Sequence, residues 1–366
     1  MSEWCQVAGE SAISTPALLL HSERVDENVR RMVALAGGPE KLRPHIKTHK
    51  LGPLIQRQMA IGITKFKCAT IAEAELCARS GAHDILLAQQ LVGPHVARFA
   101  ALARAFPQAR FSTMVDNEEA ARQIAGAASG TNIALLVDLD IGQHRTGIAP
   151  NEDAATFYAF IAGLPNVQPG GLHAYDGHLH QRDPVIRRTA CEEAFKPVRA
   201  LAATLRQHGF DVPRIVAGGT PTFPFHAQAG DVECSPGTCV LWDAGYGSNL
   251  PDLDFLPAVT LLTRVVSKPG PRYLTLDLGH KSVASEMPQP RALFPALPDA
   301  VAVMHNEEHL VIQTAQAERF KIGDTLHAIP WHICPTVALH AEAQVVSNGQ
   351  VTDCWPIVAR ARRLHF

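Results

Sequence analysis

The sequence predicts an α/β protein, a (β/α)8 TIM barrel with a C-terminal β-rich domain, and three observations lead there. The chain has 366 residues, more than one hydrophobic core usually organises, so two domains are expected and one of them is large. Its first two thirds alternate short β-branched or apolar runs with longer stretches of helical periodicity, the pattern of strand, crossover helix and parallel strand. From about Leu256 onward the texture changes to β-branched runs broken by turns.

Taken in order, the candidate strands of the first part are 42–47, 65–69, 85–88, 110–115, 133–138, 170–175, 214–217 and 232–234. Amphipathic stretches such as 70–80, 118–128 and 184–208 lie between them. Strand-plus-helix units in that number, over roughly 230 residues, match the dimensions of the barrel. A doubly wound open sheet would give the same strand count. In the second part the runs 259–266, 273–278, 310–313, 325–329 and 343–346 are punctuated by Lys268-Pro269-Gly270-Pro271, Lys321-Ile322-Gly323-Asp324 and Ser347-Asn348-Gly349, which are turn signals. The barrel is assigned to 13–254 and the β-rich domain to 255–366 together with 1–12.

Composition narrows the function classes. Hydrophobic residues make up 46% and charged residues 19%, as in an ordinary soluble globular protein. A net charge of -2 offers little attraction to phosphate backbones or anionic lipid, so neither nucleic acid nor membrane is an expected partner. No stretch has the form of a signal peptide or a membrane span, and a cytoplasmic location is expected. The eight cysteines show no CxxC and no regular spacing, which points to reduced thiols.

Reactive groups of a TIM barrel stand at the C-terminal ends of its strands. The first candidate strand ends in Arg43-Pro44-His45-Ile46-Lys47-Thr48-His49-Lys50, a dense run of cations. An amine held among cations and partly desolvated is the better nucleophile that a Schiff base requires, although a solvated basic turn would look the same. The seventh strand runs into Gly218-Gly219-Thr220 and the eighth into Ser235-Pro236-Gly237. Glycines admit close approach of backbone N–H groups to phosphate, hydroxyls complete the cradle, and barrel phosphate sites often follow strands seven and eight. Beside Lys47, such a cradle suggests a phosphate-bearing carbonyl cofactor. The fifth strand leads to Arg145 and the sixth to Tyr175-Asp176-Gly177-His178-Leu179-His180, which place a guanidinium, a phenol and imidazoles at the same mouth. Near the C-terminus, His332-Ile333-Cys334 in an extended segment would turn both side chains to one face, where they could bind a single metal ion. A buried thiol beside an unrelated histidine would give the same two-residue spacing.

At these residues the sequence resembles the D-threonine aldolase family, within the fold-type III (alanine-racemase-like) pyridoxal-phosphate enzymes. The resemblance runs from Ser14-Thr15-Pro16-Ala17-Leu18 to Trp355-Pro356-Ile357-Val358-Ala359-Arg360, and it is most specific at residues 43–50 and 267–282. It implies that Lys47 is the Schiff-base lysine, that Gly218, Gly219 and Thr220 hold the phosphate, and that Tyr175 and Arg145 line the cofactor site. It also implies a divalent metal (zinc, manganese or magnesium) on His332 and Cys334. The family's aldolases carry aspartate at the second of these positions, whereas the related D-serine and 3-hydroxyaspartate dehydratases carry cysteine. Thiolate favours zinc and carboxylate favours manganese or magnesium.

The function this implies is a lyase that cleaves D-β-hydroxy-α-amino acids to glycine and an aldehyde. A histidine, His178 or His180, would take the hydroxyl proton. The alternative is a metal-dependent dehydratase giving a 2-oxo acid and ammonia from the same parts. A racemase of this fold needs a tyrosine from the second domain as a base, and only Tyr273, inside a candidate strand, follows Val259. A non-catalytic cofactor carrier would need no second domain. The resemblance further implies a homodimer.

Overall fold

The computed structural model describes residues 3–366. It falls into two compact units, one of Met32–Lys47, Gly52–Gly237 and Ala361–Phe366, the other of the chain up to Arg31, Thr48–Leu51 and Thr238–Arg360. The first strand, β1 (Ala17–His21), belongs to the second unit. The first unit is built on the next seven: β2 (Lys65–Cys68), β3 (Asp84–Leu87), β4 (Arg110–Val115), β5 (Ala134–Leu139), β6 (Gln168–Ala174), β7 (Ile215–Ala217) and β8 (Glu233–Cys234).

These strands pair in sequence order, all parallel. The eighth position of the ring is filled by residues 42–45, which bridge Leu42 to Cys234 on β8 and His45 to Lys67 on β2. Arg43 N donates to Cys234 O (2.8 Å), His45 N to Pro236 O (2.9 Å), and Lys67 N to Pro44 O (2.9 Å). The regular strand expected at 42–47 is therefore an extended segment that closes the barrel. Pro44 has no N–H to give to a ladder, and Ile46–Thr48 turns into a 3-10 helix.

Helices follow the strands where the sequence periodicity places them. Ile71–Arg79 is capped by Thr70, whose hydroxyl accepts from Glu73 N (3.1 Å), and Glu118–Ala127 by Asn117, which accepts from Ala120 N (2.9 Å). Each cap satisfies a backbone donor that has no partner within its helix. Inside the ring, Leu86, Leu136 and Val216 pack together. They come from β3, β5 and β7, the alternate-strand layering of a filled barrel.

Toward the N-terminal ends of the strands the interior is ionic. The Arg43 guanidinium, fully buried, donates to Asp84 (2.7 Å) and Glu233 (2.7 Å). Lys65 reaches Glu233 (2.9 Å) and Arg214 reaches Asp84 (3.2 Å). Burial alone would raise both carboxyls, but the Arg43 charge and hydrogen bonds hold them below the usual range. Arg43 thus does not join the cations at the other end of its segment.

The second unit is a nine-stranded sheet. It adds β9 (Val259–Gly270), β10 (Tyr273–Leu276), β11 (Ala292–Leu293), β12 (Val301–His305), β13 (Leu310–Gln313), β14 (Thr325–Pro330), β15 (Glu342–Ser347) and β16 (Gln350–Pro356). The order is β12-β13-β10-β9-β1-β15-β16, with β14 on β9 and β11 on β14. The buried β1 lies between β9, to which it runs antiparallel, and β15, to which it runs parallel. No described helix is long and apolar enough to cross a membrane.

Candidate active site

A cavity of about 250 Å³ opens at the C-terminal ends of the barrel strands, and Lys47, Arg145 and Tyr175 all line it. Lys47 reaches it from the 3-10 turn after the closing segment. Three cations stand around the Tyr175 ring: Lys47 Nζ is 5.8 Å from its centroid, Arg145 Cζ 5.0 Å and Lys67 Nζ 5.6 Å.

Lys67 escapes the sequence reading. A lysine alternating with Phe66 in a short strand looks solvated, yet Lys67 is 3% exposed. Lys65 and Lys67 sit two apart on β2 and share the inner face of the barrel, as the period of a strand requires. Burial, and then the charge of Lys47, lower Lys67 to about 7. The signal that could have found it is the repeated lysine on the inner face of a buried parallel strand.

Beside Lys67, His173 on β6 shares Nδ1 with Asp138 Oδ1 (2.7 Å), while Thr146 (2.9 Å) and Gln90 (2.7 Å) donate to Oδ2. Burial raises Asp138, but these bonds outweigh it and keep it ionised. An ionised carboxylate only accepts, so the imidazole proton lies on Nδ1. Burial and Lys67 keep the ring neutral, and Nε2, buried without a partner among the described residues, carries a lone pair.

The loops after β7 and β8 meet where Gly237 N donates to Thr220 Oγ1 (3.3 Å). Gly218 has φ 74, a conformation that glycine adopts without strain. Ser235 Oγ is buried and has no hydrogen-bond partner among the described residues. A Cβ on Gly219 would lie 3.1 Å from Tyr175 Cε2, and one on Gly177 would overlap the same ring from Cε1. Behind this loop the buried Asp176 accepts from Gly219 N (3.2 Å), Thr222 Oγ1 (2.8 Å) and His226 Nε2 (2.7 Å). Asp176, Cys191 and His226 also have ligand-type atoms within 4.8 Å of one another. Burial pushes the Cys191 thiol up to about 12, so it is protonated and the trio serves as hydrogen-bonded support for the loop.

The two histidines named as bases are placed differently. His180 is exposed and His178 half-buried, with His178 Nδ1 lacking a partner. Neither is among the residues lining the Lys47 cavity.

In the β-rich unit, His332 has extended backbone (φ -129, ψ 105) and caps the helix Ile333–Leu339. Cys334 is therefore in a helical turn, and the expectation that an extended strand aligns the pair is corrected. The side chains are hydrogen bonded nonetheless. Cys334 Sγ also lies 3.2 Å from Thr48 Oγ1 and 3.7 Å from Thr238 Oγ1. Two carboxylates, neither with a sequence signal, flank the turn. Glu286 bonds His332 Nδ1, and Asp243 accepts from Ile333 N (3.0 Å) and Tyr246 N (2.8 Å). Burial opposes charge on His332, but the hydrogen bond and charge of Cys334, then Glu286 and Asp243, raise it to about 9. Burial raises Asp243 to about 6. A Cβ on Gly245 would come 2.5 Å from Trp331 O, so only glycine lets the 245 backbone seat the segment that carries His332.

The residues present fit two groups. The orphaned Ser235 hydroxyl and the glycine loop suit a phosphate, and Lys47 in the same barrel suits a carbonyl. The nitrogen and sulfur of His332 and Cys334, with a carboxylate behind the imidazole, are donors that suit a divalent metal.

A TIM-type barrel with a lysine and glycine-containing loops at the C-terminal ends of its strands, followed by a β-rich domain, is the architecture of the alanine-racemase-like class of pyridoxal-phosphate enzymes. Residues 20–243 match the alanine racemase N-terminal domain and 258–346 the putative serine dehydratase domain. The chain belongs to this class and, within it, to the D-threonine aldolase family of lyases. It is 33% identical to D-threonine aldolase of Arthrobacter sp. over 95% of this chain and 93% of the relative. It is 28% identical to 3-hydroxy-D-aspartate aldolase of Paracoccus denitrificans over 96% and 94%. The structure of D-threonine aldolase from Filomicrobium marinum superposes with a TM-score of 0.89 at 28% identity, over 96% of both chains.

Proposed function

We propose that the chain is a pyridoxal-phosphate- and divalent-metal-dependent lyase that cleaves D-β-hydroxy-α-amino acids to glycine and an aldehyde. The observation that supports it most is the convergence of Lys47, Tyr175 and Arg145 on one cavity, in a chain a third identical to a D-threonine aldolase.

Lys47 would hold the cofactor through its amine, and Gly218, Gly219, Thr220, Ser235 and Gly237 would hold its phosphate. Tyr175, wedged between Gly177 and Gly219, gives the site a fixed apolar wall, and Arg145 places a permanent cation beside it. His332 and Cys334 would hold the metal, and Glu286 orients the imidazole, as carboxylates do behind metal-bound histidines. When bound, the cofactor stabilises the electron pair left on Cα as the Cα–Cβ bond breaks, and the metal makes the β-hydroxyl more acidic. His178 or His180 is the base assigned to that hydroxyl proton. His178 is favoured because its Nδ1 has no partner among the described residues.

Dehydration to a 2-oxo acid and ammonia is the second reading, favoured by cysteine at position 334 and by the match of 258–346 to the putative serine dehydratase domain. Incubation with D-threonine and D-serine, with and without chelator, separates the two. Glycine and acetaldehyde from D-threonine, lost on chelation, are expected. A 2-oxo acid and ammonia as the only products would refute the aldolase assignment.

A further inference from the structure

The cavity around Tyr175 holds more positive charge than the protein itself compensates. Lys47, Lys67 and Arg145 face one ring at 5.8, 5.6 and 5.0 Å. The nearby carboxylates are already engaged: Asp138 by His173, Thr146 and Gln90, and Asp176 by Gly219, Thr222 and His226. Lys67 is almost completely buried, and among the described residues no hydrogen bond or ion pair holds its amine. A buried, uncompensated ammonium is costly unless an anion arrives.

We infer that Lys67 is an anion-binding residue of the cavity and that its partner is an oxyanion of the bound ligand, the phenolate oxygen of pyridoxal phosphate. This rests on the reading that the cofactor occupies the cavity. Two sources of oxyanion exist, the cofactor and the carboxylate of the amino acid. The cofactor is favoured because Lys67 projects from within β2, on the inner face it shares with Lys65, and like the lining residues Met114 and His173 it is borne by a strand of the barrel rather than by a loop at its mouth. The phosphate has its own cradle after β7 and β8, which leaves the phenolate as the cofactor's other anionic group.

Burial and Lys47 hold Lys67 near 7, with Arg145 adding to them and Asp138 and Asp176 opposing; the imidazole of His173 faces it as a neutral group. An oxyanion beside it favours the charged form and raises that midpoint. Binding is then coupled to protonation of Lys67, so affinity is highest below about pH 7 and falls as pH rises above it.

The test compares pyridoxal phosphate with its 3-O-methyl ether, which lacks the phenolate, on the cofactor-free protein, on Lys67→Met and on Lys67→Arg. Affinity is read by equilibrium dialysis without substrate. A charge-assisted hydrogen bond predicts that Lys67→Met weakens pyridoxal phosphate roughly 10- to 100-fold, leaves the ether nearly unchanged, and that Lys67→Arg restores most of the loss. Equal losses for both aldehydes overturn the inference. Intact cofactor affinity with a raised KM for D-threonine assigns the oxyanion to the substrate carboxylate and overturns it as well. If wild-type protein binds neither aldehyde and borohydride fixes nothing to Lys47, the functional reading fails. Binding that is indifferent to Lys67 sinks the inference alone.

Discussion

Asp176 ties the loop after β6 to the loop after β7, and replacing it should damage both stability and cofactor binding. Asp176→Ala removes the acceptor of Gly219 N, Thr222 Oγ1 and His226 Nε2 at once. Each donor left unpaired in a buried site costs about 1–3 kcal/mol. Removing a buried charge returns part of that, and breaking such a pair typically nets about 3–5 kcal/mol. For a domain of this size each kcal/mol lowers Tm by roughly 2–4 °C, so the barrel transition should fall by about 6–20 °C. Asp176→Asn should cost only about 1–2 kcal/mol, since the amide oxygen still accepts from Gly219 and Thr222 and the imidazole can move its proton to Nδ1 and accept from the amide. Thermal melts give the stability term. Titration with pyridoxal phosphate should show affinity reduced about tenfold in the alanine variant, because Gly219 N is no longer held. An alanine variant within 1 kcal/mol of wild type, or an asparagine variant as damaged as the alanine one, would refute the assigned role.

Three further outcomes are expected. Lys47→Ala should lose the yellow, borohydride-fixable cofactor while Lys50→Ala keeps it; peptide mapping of the reduced protein checks this, and label on Lys50 would contradict it. His332→Ala and Cys334→Ala should retain cofactor absorbance but lose lyase activity by more than the roughly 10- to 100-fold that removal of an outer-shell partner costs. In the same series, Cys334→Asp should shift preference from zinc toward manganese, and activity that survives exhaustive chelation would discount the pair. The depressed carboxyls of Asp84 and Glu233 contribute stability that is fully present above their unfolded values of 3.8 and 4.5 and is lost as pH falls through the lower folded ones. Urea unfolding from pH 6 to pH 3 should show this loss in wild type and a much shallower one in Arg43→Met.

The barrel was legible because buried parallel strands are short β-branched runs set between amphipathic helices, and 110–115 coincides with β4. β1 was not legible. Its Leu18, Leu19 and Leu20 resemble any apolar run, and only pairing with residues far downstream makes them a strand. That Lys47, Arg145 and Tyr175 meet in one cavity could be anticipated because each lies in the run that follows a strand segment, Tyr175 at once and Arg145 six residues after β5. Lys67 could not, since a lysine inside a strand announces its burial only once the ring closes. Arg43 was misplaced for a related reason: four residues of extended chain span the barrel's depth, so a cationic run in sequence is divided between its two ends. Asp176, His226, Glu286 and Asp243 gain their roles from contacts between distant segments, which one sequence does not display.

The position of β1 sets synthesis against assembly. It is made before either of its neighbours: its ladder partners are Val259–Leu262 on β9, and Leu19, Leu20 and His21 also need Gln344, Val345 and Val346 on β15. The barrel unit, whose strands all lie between them in sequence, needs nothing from β15 to pair its own. Closing so long a loop costs little more free energy than a moderate one, because the penalty grows only with the logarithm of length. Its effect is on timing, since distant pairings form slowly. This apolar segment therefore waits, without its ladder partners, through the making of the whole barrel, and it is enclosed on both edges only once β15 has followed.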